Sequence, residues 1–424
     1  MLRRRSEAGL RSATAPVSLA SRRGLDWFTF FVADLQTGFG PFLSVYLTTQ
    51  KWTQTDIGLV LSVGSLASLI GQLPGGWVVD RVRSKRGLAA AAVAGIGLAA
   101  LVIALWPVFL IIVAAKVLHV AASCVLGPAI AAITLGLVGH AAAGERLGRN
   151  ARFASIGNGL AAGAMGACGY FISPQAVFFV TALLAPPTLL ALYSIREKEI
   201  DPTAAECGTT DDGPPESGLR RLLSQKGLLV FTGCLLLFHL ANTAMLPLVA
   251  STLTMRSSRW ATALVAACII IPQVIVALFS PTVGRLAQSW GRYPLLLIGF
   301  GALPVRGLLM AWTGDPHVLV LLQVLDGITG AVFGVLVPLT VADLAHGTGR
   351  FNLAQGIVGS ATGIGATLST VLSGYLADRL GGSVTFLGLS LIAAGALALL
   401  AIFMPETKPH PDEPPSASAR PPWS

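Results

Sequence analysis

Long apolar runs separated by short polar breaks recur along the whole chain of 424 residues. The clearest pair is Ile57–Val79 and Leu88–Trp106, parted by Asp80, Arg81, Arg83, Lys85 and Arg86. One helical pass through a bilayer needs about 20 consecutive apolar residues. The pattern predicts six helices at about Leu25–Leu47, Asp56–Val79, Leu88–Trp106, Pro107–Val138, Ala151–Ile172 and Pro174–Ile195. Six more are expected at about Gly227–Thr252, Trp260–Val283, Pro294–Trp312, Val318–Asp343, Gln355–Tyr375 and Ser383–Phe403. Between them, Gly139–Asn150 reads as a polar loop and Arg196–Lys226 as a charged linker without periodicity. Met1–Gly24 is a basic tail and Pro405–Ser424 a disordered, Pro-rich one. The expected fold is an all-α membrane protein of twelve helices, with one six-helix half over 25–195 and another over 227–404.

Composition and charge then set class and orientation. Of the residues 54% are hydrophobic and 12% charged, against about 25% charged in soluble domains. A net charge of +9 could point to nucleic acid in a soluble protein. Here the basic residues sit between spans, which reads as orientation and contact with anionic lipid, with no nucleic-acid partner. Placing both termini in the cytoplasm puts 23 of the 29 Lys and Arg residues on that side, as retention of positive charge demands. The outer side keeps Lys51, Arg256, Arg259 and Arg379. The expected location is the cell inner (plasma) membrane. The tail Met1–Gly24 lacks the apolar core of a secretory signal. Its composition would also allow a mitochondrial presequence, but a cytoplasmic tail is the preferred reading. The five Cys include no Cys-x-x-Cys, so neither a disulfide framework nor a metal knuckle is implied.

The two halves repeat each other. Pro41 and Pro247 are 206 positions apart, Gly76 and Gly284 208, and Pro128 and Pro338 210; near the first pair, Gln36 meets Asn242 and Thr37 meets Thr243. Pairs at nearly constant offset argue for duplicated six-helix units.

The loop after the second span, GQLPGGWVVDRVRSKRG over Gly71–Gly87, carries a more specific signal. Gly76 followed by Asp80-Arg81 and further basic residues resembles the loop between helices 2 and 3 of the major facilitator superfamily. Arg83 stands where that family usually has glycine. In the second copy Gln288 replaces Asp80, while Gly291 and Arg292 match the family's Gly-Arg. The resemblance implies a twelve-helix secondary transporter in which Asp80 latches onto the start of helix 11, here Arg350–Gln355. The candidate latch is therefore Gly76, Asp80, Arg81 and Arg350. Elementary chemistry agrees: glycine permits close helix packing, and an aspartate is stabilised at a helix N-terminus. The plainer alternative is a solvated loop that only sets topology.

Ionisable side chains inside spans cost about 2.5–3.5 kcal/mol each at the helix centre on insertion scales and mark functional sites. Here they are Asp34 in helix 1, Lys116 and His119 in helix 4, His239 with Asn242 in helix 7, Arg306 in helix 9 and Asp326 in helix 10. Helices 1, 4, 7 and 10 line the central cavity in the superfamily that the loop resembles. Asp34, Lys116, His119, His239, Asn242 and Asp326 are therefore the candidate substrate and proton-coupling residues. Lys116 and Asp326 align at the offset of 210, so a cation and an anion take equivalent places and either pair across the cavity in one state or each bind an opposite charge of a zwitterionic substrate. The segment VAAKVLHVAASCVLGP is similar to the helix 4 motif of proton-coupled members, although arginine, glutamine and glycine are usual where Lys116, His119 and Val120 stand. Helix 9 is usually peripheral in that superfamily, so Arg306 either snorkels outward or pairs with a neighbouring helix, and His140, Asp343 and His346 read as interfacial groups at helix ends.

No G-x-x-x-x-G-K-[ST], His-Glu-x-x-His or G-x-S-x-G occurs, so neither an enzyme nor an ATP-driven pump is expected, and no cofactor or metal is called for. The glycine runs Gly157–Gly169 and Gly356–Gly365 lie inside apolar spans and serve helix packing. The first lacks the Gly-Pro pair typical of drug antiporters. The leading expectation is a monomeric, proton-coupled carrier exporting a small organic molecule. Uptake by symport or facilitated diffusion, and a non-transporting membrane receptor, are the alternatives.

Overall fold

The structure, a computed structural model, describes residues 17–37, 39, 41–52, 54–201, 222, 224–249, 261–346, 348 and 350–408. Among these residues no strand forms, and ten helices are long and apolar enough to cross a membrane. The first helix, α1, runs over Leu19–Thr37 and resumes as Pro41–Thr49. Arg22, Arg23, Asp26 and Asp34 make it more polar than the ten. Then come α2 (Gln54–Arg81) and α3 (Lys85–Leu105).

The next stretch, Phe109–Phe171, has 63 helical residues. Straight, it would extend about 95 Å, roughly three times the hydrocarbon thickness. It is not straight. Gly139 has φ 68° and ψ 173°, a backbone region that glycine enters at little cost. Asn150 Nδ2 donates to Thr134 Oγ1 at 2.8 Å, whereas a straight helix would hold these residues about 24 Å apart. The chain therefore reverses at Gly139 into two limbs, α4 before it and α5 after it.

The polar segment expected to be a loop over Gly139–Asn150 is thus helical from its second residue on. Arg146 and Asn150 are buried in the bundle instead of in water. Asp26 of α1 accepts from Arg146 Nη2 at 2.7 Å and from Arg149 Nε and Nη2 at 2.8 and 2.7 Å. Arg146 Nε donates to Asn150 Oδ1 at 3.0 Å.

The first half closes with α6, made of Ala176–Leu183 and Ala185–Tyr193. The second half contains α7 (Lys226–Asn242, with helical residues continuing to Val249), α8 (Ala261–Ser289) and α9 (Tyr293–Trp312). It ends with α10 (Pro316–Leu321 and Gln323–Leu344), α11 (Phe351–Leu380) and α12 (Gly382–Phe403). Each half has its own apolar core, one around Phe28, Tyr46 and Phe178, the other around Phe231, Phe300 and Leu336. The second core also takes in Ala131, Leu135, Ala143 and Leu147 of the first half, so the halves are packed together. Large apolar side chains such as Leu66, Leu110, Phe171, Leu183 and Leu391 stay exposed on the outside, the surface a multi-pass membrane protein presents to lipid.

Internal duplication is visible in the hydrogen bonds. Lys85 Nζ donates to Val79 O at 2.6 Å and Arg292 Nη1 to Ala287 O at 3.1 Å. Each caps the last carbonyls of the preceding span, and the two acceptors are 208 positions apart.

Parts of the expected tails and linker belong to the bundle. The backbone N–H and hydroxyl of Ser18 donate to the Glu199 carboxylate at 3.1 and 2.9 Å. This ties the start of α1, which lies six residues earlier than expected, to the segment after α6. After α12, the Glu406 carboxylate accepts from the N–H groups of Arg292 and Tyr293 at 2.9 and 3.0 Å. Desolvation opposes the charge there, but the N–H groups of Arg292, Lys408 and Tyr293 prevail and hold the Glu406 carboxyl below its ordinary value.

The buried Asp26 network generates a prediction. Asp26→Asn leaves Arg146, 7% exposed, without its counter-charge. Breaking one partner of a buried pair costs about 3–5 kcal/mol. The purified variant should unfold at a clearly lower temperature than Arg149→Gln, which alters a side chain that is 55% exposed.

Candidate functional site

Three groups of polar residues stand out within the bundle. The first joins the halves at the end carrying the basic loop Arg81–Arg86, called the basic end below. The Asp80 side chain points at the first turn of α11. Its Oδ1 accepts from Asn352 N at 3.0 Å and Asn352 Nδ2 at 2.7 Å, and its Oδ2 from Leu353 N at 2.8 Å. The first N–H groups of a helix have no partner within it, so Asp80 caps α11 from another helix and meets the positive end of its dipole. The contact requires close approach. A Cβ on Gly76 would overlap the carbonyl oxygen of Asn352. One on Gly356 would lie 2.7 Å from the carbonyl oxygen of Gln72. Arg81 turns its guanidinium over the Trp77 ring, 4.2 Å from the centroid. Arg350, also buried, is the residue preceding α11.

The second group is in the first half. Phe39 stacks on His119 with centroids 3.7 Å apart, and its carbonyl accepts from Lys116 Nζ at 3.4 Å. His119 Nε2 lies 3.4 Å from Ser123 Oγ. The Lys116 stem presses on α2 at Gly64, where an added Cβ would meet its Cε at 2.7 Å. Asp34 is only 6% exposed, and its Oδ1 has no hydrogen-bond partner among the described residues. It faces Gly157 of α5, where a Cβ would sit 2.8 Å from that oxygen.

The third group lies in the second half, around a cavity of ≈ 410 Å³. His239 and Asn242 of α7 line it together with Asp326 of α10, among the apolar side chains of Leu235, Phe238, Phe333 and Val337. Asp326 is ion-paired with Arg306 of α9. Arg306 Nη2 also donates to Asn242 Oδ1 at 2.5 Å. The arginine side chain is 3% exposed and the aspartate 33%, so the carboxylate is the member of the pair that faces the cavity.

The Major Facilitator Superfamily profile matches residues 27–303 and 233–424. The chain belongs to the major facilitator superfamily. It is 39% identical over 389 residues to an uncharacterized MFS-type transporter of Mycobacterium tuberculosis, covering 91% of this chain and 93% of that one. A shorter stretch of 131 residues, 30% of this chain and 32% of the other, is 31% identical to the class G tetracycline resistance protein of Vibrio anguillarum. Among solved structures, the major facilitator transporter FucP in the outward conformation superposes with a TM-score of 0.72 at 14% identity, over 91% of this chain and 98% of that one.

As a member of this superfamily the chain is a transporter of a general kind and a multi-pass membrane protein. The structure gathers the sequence-predicted residues into separate clusters. His239, Asn242 and Asp326 converge on one cavity, Lys116 and His119 share Phe39, and Asp34 sits at the α1–α5 contact. Lys116 and Asp326, equivalent in the repeat, have different partners here: a carbonyl for one, Arg306 for the other. Of the two readings open for Arg306, outward snorkelling and a pair with a neighbouring helix, the structure has the second, and Arg306 is the centre of the third group. The sequence carried a usable signal, since a buried arginine within a span requires an acid, and Asp326 is the acid of the neighbouring span. Asp26 and Arg146 were missed because each lies at the edge of its apolar run, where charge is unremarkable.

The basic-end contact yields a sharp prediction. Gly76→Ala would set a methyl group against backbone, which has no rotamer in which to yield. Deuterium uptake at the amides of Asn352 and Leu353 should rise at least tenfold. Gly159→Ala, at a site with nothing within 4 Å, should leave it unchanged. Equal uptake in the two variants would remove Gly76 from the contact.

Proposed function

We propose that the chain is a secondary transporter that exports a small organic molecule by alternating access, coupled to protons through Asp326. The carrying observation is the convergence of Asp326, Arg306 and Asn242 at the cavity. Arginine stays charged under all ordinary conditions, so protonation can change this group only at the aspartate. A proton on Asp326 removes the counter-charge of a buried guanidinium. Arg306 then depends more heavily on Asn242 and on a substrate in the cavity. Because the three side chains come from α7, α9 and α10, that redistribution changes the forces among the second-half helices around the cavity.

Asp34, buried at the α1–α5 contact, is a second acid whose charge state would bear on the first half. Lys116, His119 and His239 supply further polar groups along the same pathway. The cavity volume falls within the usual range for small-molecule sites. Its mainly apolar walls with a few polar groups suit an amphipathic organic molecule. Export is favoured by the similarity over 131 residues to a tetracycline resistance protein. The distribution of Lys and Arg favours a cytoplasmic basic end. In this reading Asp80, Gly76, Arg81 and Arg350 form a latch that holds that end shut while the cavity is reached from the other side.

Flux in proteoliposomes with an imposed pH gradient tests the proposal, with tetracycline as the first probe and other amphipathic organic ions after it. Asp326→Asn should lose pH-driven flux at least tenfold while retaining substrate exchange without a gradient. Undiminished pH-driven flux would remove Asp326 from coupling. Ligand binding with no flux in any direction would instead indicate a receptor.

A further inference from the structure

His140 and His346 take no part in the sites above, yet they bring the two halves together. His140 follows the Gly139 reversal at the end of α4, and His346 lies two residues beyond α10. They are 206 positions apart, each just beyond a cavity-side span of its own half. Their rings meet with centroids 5.5 Å apart at 79°, edge to face. The Nε2 atom of His140 is buried and has no hydrogen-bond partner among the described residues, whereas His346 is exposed. Protons can therefore reach the pair from the basic end. No other residue type has an ordinary side-chain pKa so close to neutrality.

The surrounding charges matter to the outcome. Arg292, from the α8–α9 turn, acts on His140 electrostatically and is bound to Asp343 of α10 at 2.8 Å. Glu406 is held by the backbone of Arg292 and Tyr293. The backbone N–H of Asp201 bonds to the carbonyl of Gly136, one turn before His140. On α5, Glu145 is exposed, and Gln288 of α8 bonds to the carbonyl of Ala141. Arg292 is bound to Asp343, yet its positive charge still acts against a proton on His140, so charge gained by the histidines adds to a site that already opposes it. Two neutral rings attract edge to face. Two charged rings repel each other across the boundary between the halves.

We propose that His140 and His346 form a proton-sensitive contact between the two halves: neutral, they help hold the basic end closed, and doubly protonated, they drive it open. This requires only that the halves separate at that end, whatever the substrate and whether or not Asp326 couples to protons.

Deuterium uptake by the reconstituted full-length protein tests it. The segments of interest are His140–Asn150 and Arg350–Leu353, compared at pH 7.5 and 5.5 after correction for the intrinsic pH dependence of exchange. Wild type should exchange at least fivefold faster at the lower pH. His140→Gln and His346→Gln should each reduce that response below twofold. His346→Phe keeps a ring for edge-to-face packing but cannot charge, and should exchange slowly at both values. Because His346 is exposed, its variants keep the test decisive even if His140→Gln fails to fold. A wild type indifferent to pH, or a full response in His346→Phe, would overturn the proposal. Flux is not part of the readout, so the outcome is separable from the test of Asp326.

Discussion

The contact between Asp80 and the first turn of α11 is the interaction on which the arrangement of the two halves rests. Within each half, packing follows from apolar faces meeting apolar faces. The halves share apolar packing as well, but lipid competes for apolar surfaces and a directional contact adds the specificity that such packing lacks. A carboxylate that accepts three hydrogen bonds at a helix N-terminus supplies that specificity. Such bonds are roughly twice as strong as neutral ones. They form only because Gly76 lets the backbones of α2 and α11 approach so closely.

The repeat makes a second contact of the same geometry and a different chemistry. Gly284 of α8 stands 208 positions after Gly76, and it meets Gly144 of α5, which stands 208 positions before Asn352. Backbone is again against backbone. Where the first copy has Asp80, this one has Gln288, and its amide donates to the carbonyl of Ala141 instead of accepting from N–H groups. The helix-dipole term is absent from a neutral amide that donates to a carbonyl. The α2–α11 contact should therefore be the stronger of the two, and the α5–α8 contact the one that yields first when this end parts. The asymmetry arises from one residue in an otherwise duplicated device.

Much of this could be read in the chain before any coordinates. The helices are legible because a span must be apolar over its whole length, which leaves a pattern no local context can hide. Asp80 and Gly76 are legible because their spacing resembles the superfamily's loop between helices 2 and 3; the abrupt change from apolar to charged residues alone marks only a loop. What could not be read depends on distant partners. Arg146 and Asn150 look like loop residues until Asp26, 120 positions away, is placed against the first of them. Glu199 and Glu406 look like linker and tail until they meet the starts of α1 and α9. Lys116 and Asp326 share a repeat position, but equivalence along two helices does not determine what each side chain reaches. Lys116 is drawn to a carbonyl at Phe39, while Asp326 has a closer cation.

That closer cation shows how the same constraint governs interior and boundary alike. A charge taken from water into the bundle must find its opposite nearby. Asp26 with Arg146, Asp343 with Arg292, and Asp326 with Arg306 are three solutions to that problem. The first two pairs are closed: both members are nearly inaccessible, 3% and 7% exposed in each case. The third is closed on one side only. Arg306 is as buried as the others, but Asp326 keeps a third of its side chain open to the cavity. A closed pair is costly to break and has no open route to a proton or a ligand. A pair with one member facing a cavity can exchange a proton or meet a ligand without unfolding anything. Among these three pairs, differential exposure of the acid is what separates a group open to the cavity from one sealed in the bundle.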